Sequence, residues 1–136
     1  MPTLERFGVS MEDELLKVFD DLVARRGYTS RSEAIRDLVR RELVEEEWAD
    51  PETEVIGTVT LVYDHELTAA LTGAQHEHHD EIVCTTHIHV DATNCMEVVV
   101  VRGKSAVVRH ISEGLISRRG VKHGQIVCTT TGRQVK

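Results

Sequence analysis

The chain has 136 residues, of which 40% are hydrophobic and 29% are charged, and its formal net charge is −7. This composition is typical of a folded protein and argues against a disordered or fibrous chain. There is no apolar run near the roughly 20 residues that a membrane helix needs, and the N-terminus lacks the basic and apolar regions of a signal peptide. We therefore expect a cytoplasmic protein.

The first 48 residues predict a strand followed by two helices. From Leu4 to Ser10, apolar and polar residues alternate as in a strand with one buried face. Ser10, with Asp13 three residues later, predicts the start of a helix that ends at Gly27, and Ser30 with Glu33 predicts the capping box of a second helix. Two apolar stripes support these helices: Leu15, Val18, Phe19, Leu22 and Val23 in the first, and Ile35, Leu38, Val39 and Leu43 in the second.

This N-terminal part is too small to bury an adequate core alone, and its single strand has no partner. We expect it to dimerise by pairing the strand with its copy in a second chain. A two-stranded antiparallel ribbon fits the major groove of DNA. The negative net charge weighs against nucleic-acid binding, but arginines concentrate between Arg25 and Arg41, so a polarised surface is expected.

Residues 49–53 break the helical pattern with a proline and are expected to form a linker with a hinge near Pro51. From residue 54 to 136 the pattern predicts the order βαββαβ, an α+β, ferredoxin-like arrangement. The predicted strands are residues 54–63, 81–90, 96–102 and 124–130, and the predicted helices are residues 66–79 and 104–118.

Potential metal ligands concentrate in this second part. His87 and His89 are two apart in a predicted strand, so both imidazoles project from one face, and the turn at residues 91–94 returns the chain so that Cys95 can face them. Nitrogen and sulfur donors suit a late transition metal rather than magnesium or calcium. The alternative is an exposed polar face beside an unrelated buried cysteine. Cys84 and Cys128 lie in apolar strands and are expected to be buried.

A further polar cluster precedes these residues. His76, His78 and His79 follow one another closely, and spacing alone does not distinguish which of them binds metal. Glu97 is a candidate partner for a metal-bound histidine, since such histidines usually donate their second ring proton to an oxygen. An exposed strand carboxylate is the alternative for Glu97.

Together, these motifs resemble a known family over nearly the whole chain. The residues that carry the resemblance are Arg6-Phe7-Gly8-Val9-Ser10, Gly27 to Asp37, Gln75 to Asp80, His87-Ile88-His89 with Cys95, and Arg119 to Gly124. In their order and spacing they are similar to the nickel-responsive transcriptional regulators, the NikR family. The resemblance implies a dimeric ribbon-helix-helix domain at residues 1–48, a linker at 49–53, and an ACT-type domain for metal binding and tetramerisation at 54–136.

The resemblance also implies a set of ligands. His87, His89 and Cys95 would come from one chain and His76 from a neighbour, with one Ni(II) per chain in square-planar geometry within a homotetramer. Apart from the resemblance, His65, His78 and His79 are assigned to auxiliary metal binding, and the favoured alternative for them is an exposed polar cluster without a specific metal site. Glu33 and Asp37 match a pair that holds a potassium ion.

The ribbon residues Arg6, Gly8 and Ser10 are expected to face DNA, with Ser30 at a phosphate. Gly8 departs from the threonine of some family members, so an operator sequence cannot be carried over.

The function that follows is a nickel-dependent repressor that binds a palindromic operator and controls nickel uptake. The alternatives are a copper- or zinc-responsive regulator of the same fold, or a nickel storage or chaperone protein. An enzyme is not expected, because four ligands close the metal site and no general base faces it.

Overall fold

The computed structural model describes residues 1–136, and the chain divides into two compact units, residues 1–39 and 40–136. The boundary falls within the second helix, so the domain limits expected at residues 48 and 54 stay a prediction. No helix is long and apolar enough to cross a membrane. The elements are α1 (Asp13–Arg25), α2 (Arg31–Ala49), β1 (Glu54–Asp64), α3 (Thr68–His76), β2 (Ile82–His89), β3 (Asn94–Lys104), α4 (Ser105–Ile116) and β4 (Val121–Thr129), with a 3-10 turn at His65–Leu67 before α3.

In the first unit, the N-terminal strand expected from Leu4 to Ser10 is not formed. Residues 1–12 adopt neither helix nor strand, and Leu4 and Phe7 are 86% and 75% exposed. The physical reason is that a strand needs a hydrogen-bonded neighbour, and the expected neighbour is the same segment of another chain. A single chain offers no such partner.

The two helix starts differ in how well the sequence predicted them. The capping box expected at Ser10 is wrong, because α1 begins at Asp13 after Glu12, which makes no side-chain capping bond. At α2 the Ser30 hydroxyl accepts a hydrogen bond from the Glu33 N–H at 3.2 Å, as expected for a cap. The Glu33 carboxylate reaches one residue further back than a capping box requires and accepts the Thr29 hydroxyl at 2.7 Å.

The second unit has the predicted βαββαβ order. Its four strands form one antiparallel sheet in the order β2-β3-β1-β4. Alternate residues of β1 and β3 are buried under α3 and α4, as the period-2 pattern requires, and they form a core with apolar residues of both helices. The helix predicted for residues 66–79 is shorter than expected, and β4 begins three residues earlier than predicted, at Val121.

Cys84 and Cys128 are exposed, which corrects the expectation that both are buried. They lie on β2 and β4, the two edge strands of the sheet. An apolar run of residues predicts a buried strand only when the strand is covered on both faces. Here the helices cover the central strands more completely than the edges.

The last turn of α2 is fixed to the sheet by Trp48. Its indole is 4% exposed, and Nε1 donates to the Thr129 carbonyl at 2.8 Å. The Arg109 guanidinium lies 5.4 Å from the ring centroid, within range of a cation–π interaction. The close approach depends on Gly57, since a Cβ there would lie 3.1 Å from Trp48 Cη2.

The segment after α2 is also held in place. The Thr53 carbonyl accepts from the Ser105 N–H at 2.9 Å, and the Pro51 carbonyl accepts from the Ala106 N–H at 3.3 Å. The Asp50 carboxylate accepts the Thr53 hydroxyl at 3.0 Å. Pro51 is therefore bonded to the start of α4, which argues against the free hinge expected there.

The Gly57→Ala substitution should lower the free energy of unfolding by about 1–3 kcal/mol, because the new methyl group must displace the Trp48 ring or the strand beside it. Urea unfolding at a fixed protein concentration measures the change. The matched control is Gly114→Ala on α4, where an added Cβ meets nothing within 4 Å and sits in a helix. That variant should be about 0.5–1 kcal/mol more stable. Equal effects of the two substitutions would contradict the packing described for Trp48.

Candidate metal centre

The register between β2 and β3 sets the candidate site. His87 pairs with Glu97, and His89 pairs with Cys95. Because side chains alternate along a strand, all four project from the face of the sheet that α3 and α4 cover. Cys95 is fully buried and Glu97 is 3% exposed, while His89 is exposed at the end of β2. The two histidines expected to share a face therefore do so, beside a buried thiol and a buried carboxylate.

The connection between β2 and β3 is a turn organised by Asp91. Its carboxylate accepts from the backbone N–H of Thr93 at 2.9 Å and of Asn94 at 2.8 Å. The pKa of Asp91 is lowered to about 2, chiefly by the hydrogen bond from the Asn94 side-chain amide and then by the two backbone N–H groups. Aspartate is favoured in turns because it can accept backbone bonds two and three residues ahead. The turn brings Cys95 opposite His89.

Four possible ligand atoms converge at this end of the sheet. The side chains of His65, His87, His89 and Cys95 each offer a donor atom, and these atoms lie within 4.8 Å of one another. Cys95 Sγ is 3.4 Å from His65 Nδ1 and 3.6 Å from His89 Nδ1. An ion bound at about 2.0–2.3 Å holds its ligand atoms roughly 3–4 Å apart, so a late transition metal fits this donor set.

A buried hydrogen-bond network orients one of these histidines. Glu97 Oε1 lies 3.0 Å from His87 Nδ1 and accepts the Tyr63 hydroxyl at 2.6 Å. Glu97 Oε2 accepts from Gln75 Nε2 at 2.7 Å, and Gln75 Oε1 accepts the Thr85 hydroxyl at 2.7 Å. The network indicates that His87 carries its proton on Nδ1 and donates it in a hydrogen bond to Glu97. The unprotonated Nε2 is then the atom that can bind a metal.

Tyr63 is a hydrogen-bond donor in this network. Burial, followed by the hydrogen bond to Glu97 and its negative charge, raises the pKa of Tyr63 well above its usual range. The phenol therefore keeps its proton at neutral pH and donates it to the carboxylate. Three donors surround one buried carboxylate, which offsets much of the cost of taking that charge out of water.

His65 joins this cluster although its spacing in the sequence does not suggest it. It lies in the 3-10 turn after β1, and its backbone N–H donates to the Thr93 carbonyl at 2.7 Å. The register of β1 with β3 places Tyr63 opposite Cys95 and Asp64 opposite Asn94, so His65 follows at the end of the strand, where its Nδ1 lies 3.4 Å from Cys95 Sγ. The contact between His65 and Cys95 therefore depends on the pairing of β1 with β3, two strands that lie far apart in the sequence. We expected His65 only as an auxiliary ligand.

His76 lies outside this cluster in its own chain. It is exposed at the C-terminal end of α3, and it lines an open cleft between α3 and β2 together with His79, His87 and Glu97. His79 Nδ1 is 3.3 Å from the His76 carbonyl, and His79 Nε2 is 3.4 Å from the Asp80 carboxylate. His78 is half-buried beside them. The assignment of these three residues to nickel or auxiliary metal stays a prediction.

The residues assigned to DNA and potassium lie in the first unit. Arg6, Gly8 and Ser10 are exposed in the segment before α1, and Ser30 caps α2. Further along α2, the Tyr28 hydroxyl donates to the Asp37 carboxylate. The hydrogen bond from Thr29 lowers the pKa of Glu33, so its carboxylate is ionised at neutral pH. Two carboxylates therefore face the loop before α2, one helical turn apart.

Comparison with known proteins matches both halves of the chain. The description "Ribbon-helix-helix protein, copG family" matches residues 5–46, and "NikR C terminal nickel binding domain" matches residues 56–129. A protein of Solibacter usitatus named "Putative nickel-responsive regulator" is 55% identical, with 100% of both chains covered. Proteins of the same name from Geobacter sp. (strain M21) and Thermococcus onnurineus are 55% and 50% identical, covering 93% and 97% of this chain and 94% and 98% of theirs.

The Glu97→Gln substitution should weaken metal binding about 10–100-fold, because the amide no longer fixes the His87 ring and turns an N–H toward one of three donors. Competition with a nickel chelator measures the affinity. Glu113→Gln, on the exposed face of α4, removes the same charge away from the cluster and should leave the affinity unchanged. Wild-type affinity in the Glu97 variant would contradict an orienting role for this carboxylate.

Proposed function

This chain belongs to the nickel-responsive transcriptional regulators, and we propose that it is a repressor of nickel-uptake genes. The family match confirms the resemblance recognised in the sequence, together with its order of a ribbon-helix-helix domain before a nickel-binding domain. The chain is a nickel-dependent transcriptional regulator and not an enzyme. Repression, the regulated genes and a palindromic operator go beyond that membership and form the proposal.

The proposal rests on the possible metal-ligand atoms that converge beside the turn between β2 and β3. We assign His87, His89 and Cys95 of one chain, with His76 of a neighbouring chain, to one Ni(II) per chain. The thiol and imidazoles lie together, and His76 is exposed and free to reach another chain. His65 lies against Cys95 and is assigned to auxiliary metal binding, as are His78 and His79.

A homotetramer is supported by the apolar surface that each unit leaves uncovered. The open face of the sheet carries half-buried or exposed apolar residues on its central and edge strands: Val62, Ile88, Met96, Val98 and Val100. The first unit exposes large apolar side chains along the expected ribbon and both helices: Leu4, Phe7, Val9, Leu15, Val18, Leu38 and Val39. Apolar surface on this scale marks protein–protein interfaces. Two separate faces per chain suit a dimer of dimers.

The contacts with DNA and potassium follow from the first unit. Pairing of residues 4–10 with their copy builds a ribbon from which Arg6 and Ser10 face the major groove, and Arg6 can bond a guanine through two N–H groups. Gly8 has no side chain and contributes no hydrogen bond to a base. Ser30 and the N-terminus of α2 bind a phosphate. The carboxylates of Glu33 and Asp37 are assigned to a potassium ion.

The coupling between metal and DNA starts at Glu97. Bound nickel would join the β2–β3 end of one chain to His76 of another. Glu97 connects His87 to Gln75, the residue next to His76 on α3. Fixing His87 therefore fixes the end of α3 that supplies a ligand to the neighbouring chain. A coupling free energy of about 1–3 kcal/mol is typical of such systems.

Selection from a library of labelled random duplexes tests this function, at fixed salt and potassium. The apo protein should enrich nothing, and the protein with one equivalent of Ni(II) should enrich a palindromic sequence. Cys95→Ser should abolish the enrichment, whereas Cys84→Ser, an exposed thiol on β2, should not. Enrichment with Cu(II) or Zn(II) but not Ni(II) would overturn the nickel assignment. The absence of any metal-dependent enrichment would overturn the regulator mechanism.

Co-expression of two variants tests whether His76 acts between chains. His76→Ala and Cys95→Ala chains should each lose the thiolate-to-nickel charge-transfer absorption when expressed alone. Co-expressed, they should partly regain it, because a site can combine Cys95 of one chain with His76 of the other. His65→Ala alone should keep the absorption. If His65→Ala loses the charge-transfer absorption and co-expression does not restore it, all ligands come from one chain and the assignment of His76 is wrong.

A further inference from the structure

The segment that follows β4 runs across the end of α2. Residues 130–136 form neither helix nor strand, and their hydrogen bonds to the rest of the chain go to α2 and to Glu54, the first residue of β1. The Thr130 hydroxyl donates to Glu47 Oε1 at 3.3 Å, and the Arg133 guanidinium donates to the Glu54 carboxylate at 2.9 Å. We call residues 130–136 the strap.

A further contact of the strap lies nearer the start of α2. Arg40 Nε donates to the Lys136 carbonyl at 2.8 Å. Arg40 precedes Trp48 by eight residues, which corresponds to about 12 Å along a helix axis. Trp48 is itself bonded to the carbonyl of Thr129, directly before the strap. The helix is thus attached to the second unit at two separated points rather than at its last turn alone.

Attachment at two points fixes the direction of a helix. A rod held near one end pivots about that point, whereas a second contact further along it fixes its axis. Arg40 is also the first residue of the second compact unit, and α2 continues without a break from Arg31 in the first unit. The strap therefore acts on the part of the helix through which the two units are joined.

The bonds of the strap are individually weak. The ion pair of Arg133 with Glu54 is exposed on both sides, and exposed ion pairs contribute little to stability. Glu47 is buried, but its Oε2 has no hydrogen-bond partner, which disfavours the docked arrangement. No residue of the strap belongs to the core of the sheet. The strap can therefore detach while the sheet stays folded.

We propose that the strap is a positioning element, which fixes the direction of α2 and so limits the orientations in which the ribbon-helix-helix domain meets DNA. This proposal rests on the proposed function. A regulator that places two ribbons on one operator loses orientational freedom on binding, and a helix direction fixed beforehand reduces that cost. The strap lies far from the metal ligands, since Glu54 is nine residues, or about 30 Å, along β1 from Tyr63, the residue paired with Cys95. Its effect on operator binding is therefore separate from nickel ligation.

The double variant Gly132→Val/Arg133→Ala should release the strap. Gly132 has a φ of +79°, which valine does not tolerate, and alanine removes the ion pair. The matched control is Gln134→Ala/Lys136→Ala, which removes the same charge from the same segment but keeps the carbonyl that Arg40 binds.

Both variants are loaded with nickel and tested at fixed salt on the selected operator and on duplexes with a longer or shorter distance between the half-sites. The released variant should bind the selected operator about tenfold more weakly than the control, because a freely directed helix lowers the effective concentration of the second ribbon. It should also discriminate less between the half-site distances. Nickel affinity without DNA should be equal in both variants.

Hydrogen exchange gives a measurement that needs no DNA. The backbone amides of residues 40–46 should exchange faster in the released variant than in the control, and those of β3 should not change. Arg40→Lys keeps the charge but lacks the Nε donor, so it should show the same changes to a smaller degree. It replaces the double variant if that variant does not fold.

Equal exchange in α2, or equal operator affinity and equal discrimination between half-site distances in released and control variants, would overturn the proposal while leaving the regulator function intact. A wild type that binds no operator with nickel would overturn the proposed function and the positioning role with it, whereas hydrogen exchange would still show whether the strap holds α2.

Discussion

The candidate metal centre depends on one constraint, the antiparallel register between β2 and β3. That register places His87 beside Glu97 and His89 beside Cys95 on the helix-covered face of the sheet. A slip of one residue would turn every side chain of β2 to the opposite face, away from the buried thiol and carboxylate. Polar contacts hold β2 in this register, since almost all of its residues are exposed. The Asp91 turn fixes its end, the Thr85 hydroxyl donates to Gln75 Oε1, and His87 Nδ1 lies against Glu97. The polar residues around the site therefore also fix the strand that carries two of its histidines.

The carboxylate of Glu97 joins this site to the rest of the unit. A buried charge is costly unless it is fully hydrogen-bonded, and here Tyr63, Gln75 and His87 all lie within bonding distance. Each donor comes from a different element: β1, α3 and β2. Removing one of them would leave the charge less compensated. The same carboxylate therefore links the His87 ring to Gln75 at the end of α3.

Sequence reasoning recovered the elements whose signals are local. The alternation in β1 and β3 and the Asp91 turn gave the βαββαβ order, and the histidine spacing gave one shared face. What it missed depends on pairing with distant residues. His65 reaches Cys95 through the register of β1 with β3, and Cys84 is exposed because its strand lies at a sheet edge. The N-terminal segment finds no strand neighbour within the chain and forms no strand, and Ser10 lies too far from the start of α1 to cap it.

In the proposed mechanism, the binding of nickel and the binding of operator DNA are coupled, and such coupling is reciprocal. If nickel tightens operator binding by some factor, the operator must tighten nickel binding by the same factor. The most direct measurement is nickel affinity, by chelator competition, with and without saturating operator duplex at constant potassium and salt. The account predicts tighter nickel binding with operator, equal to the nickel-induced gain in DNA affinity, and no effect of a scrambled duplex. Nickel affinity unchanged by the operator would contradict it.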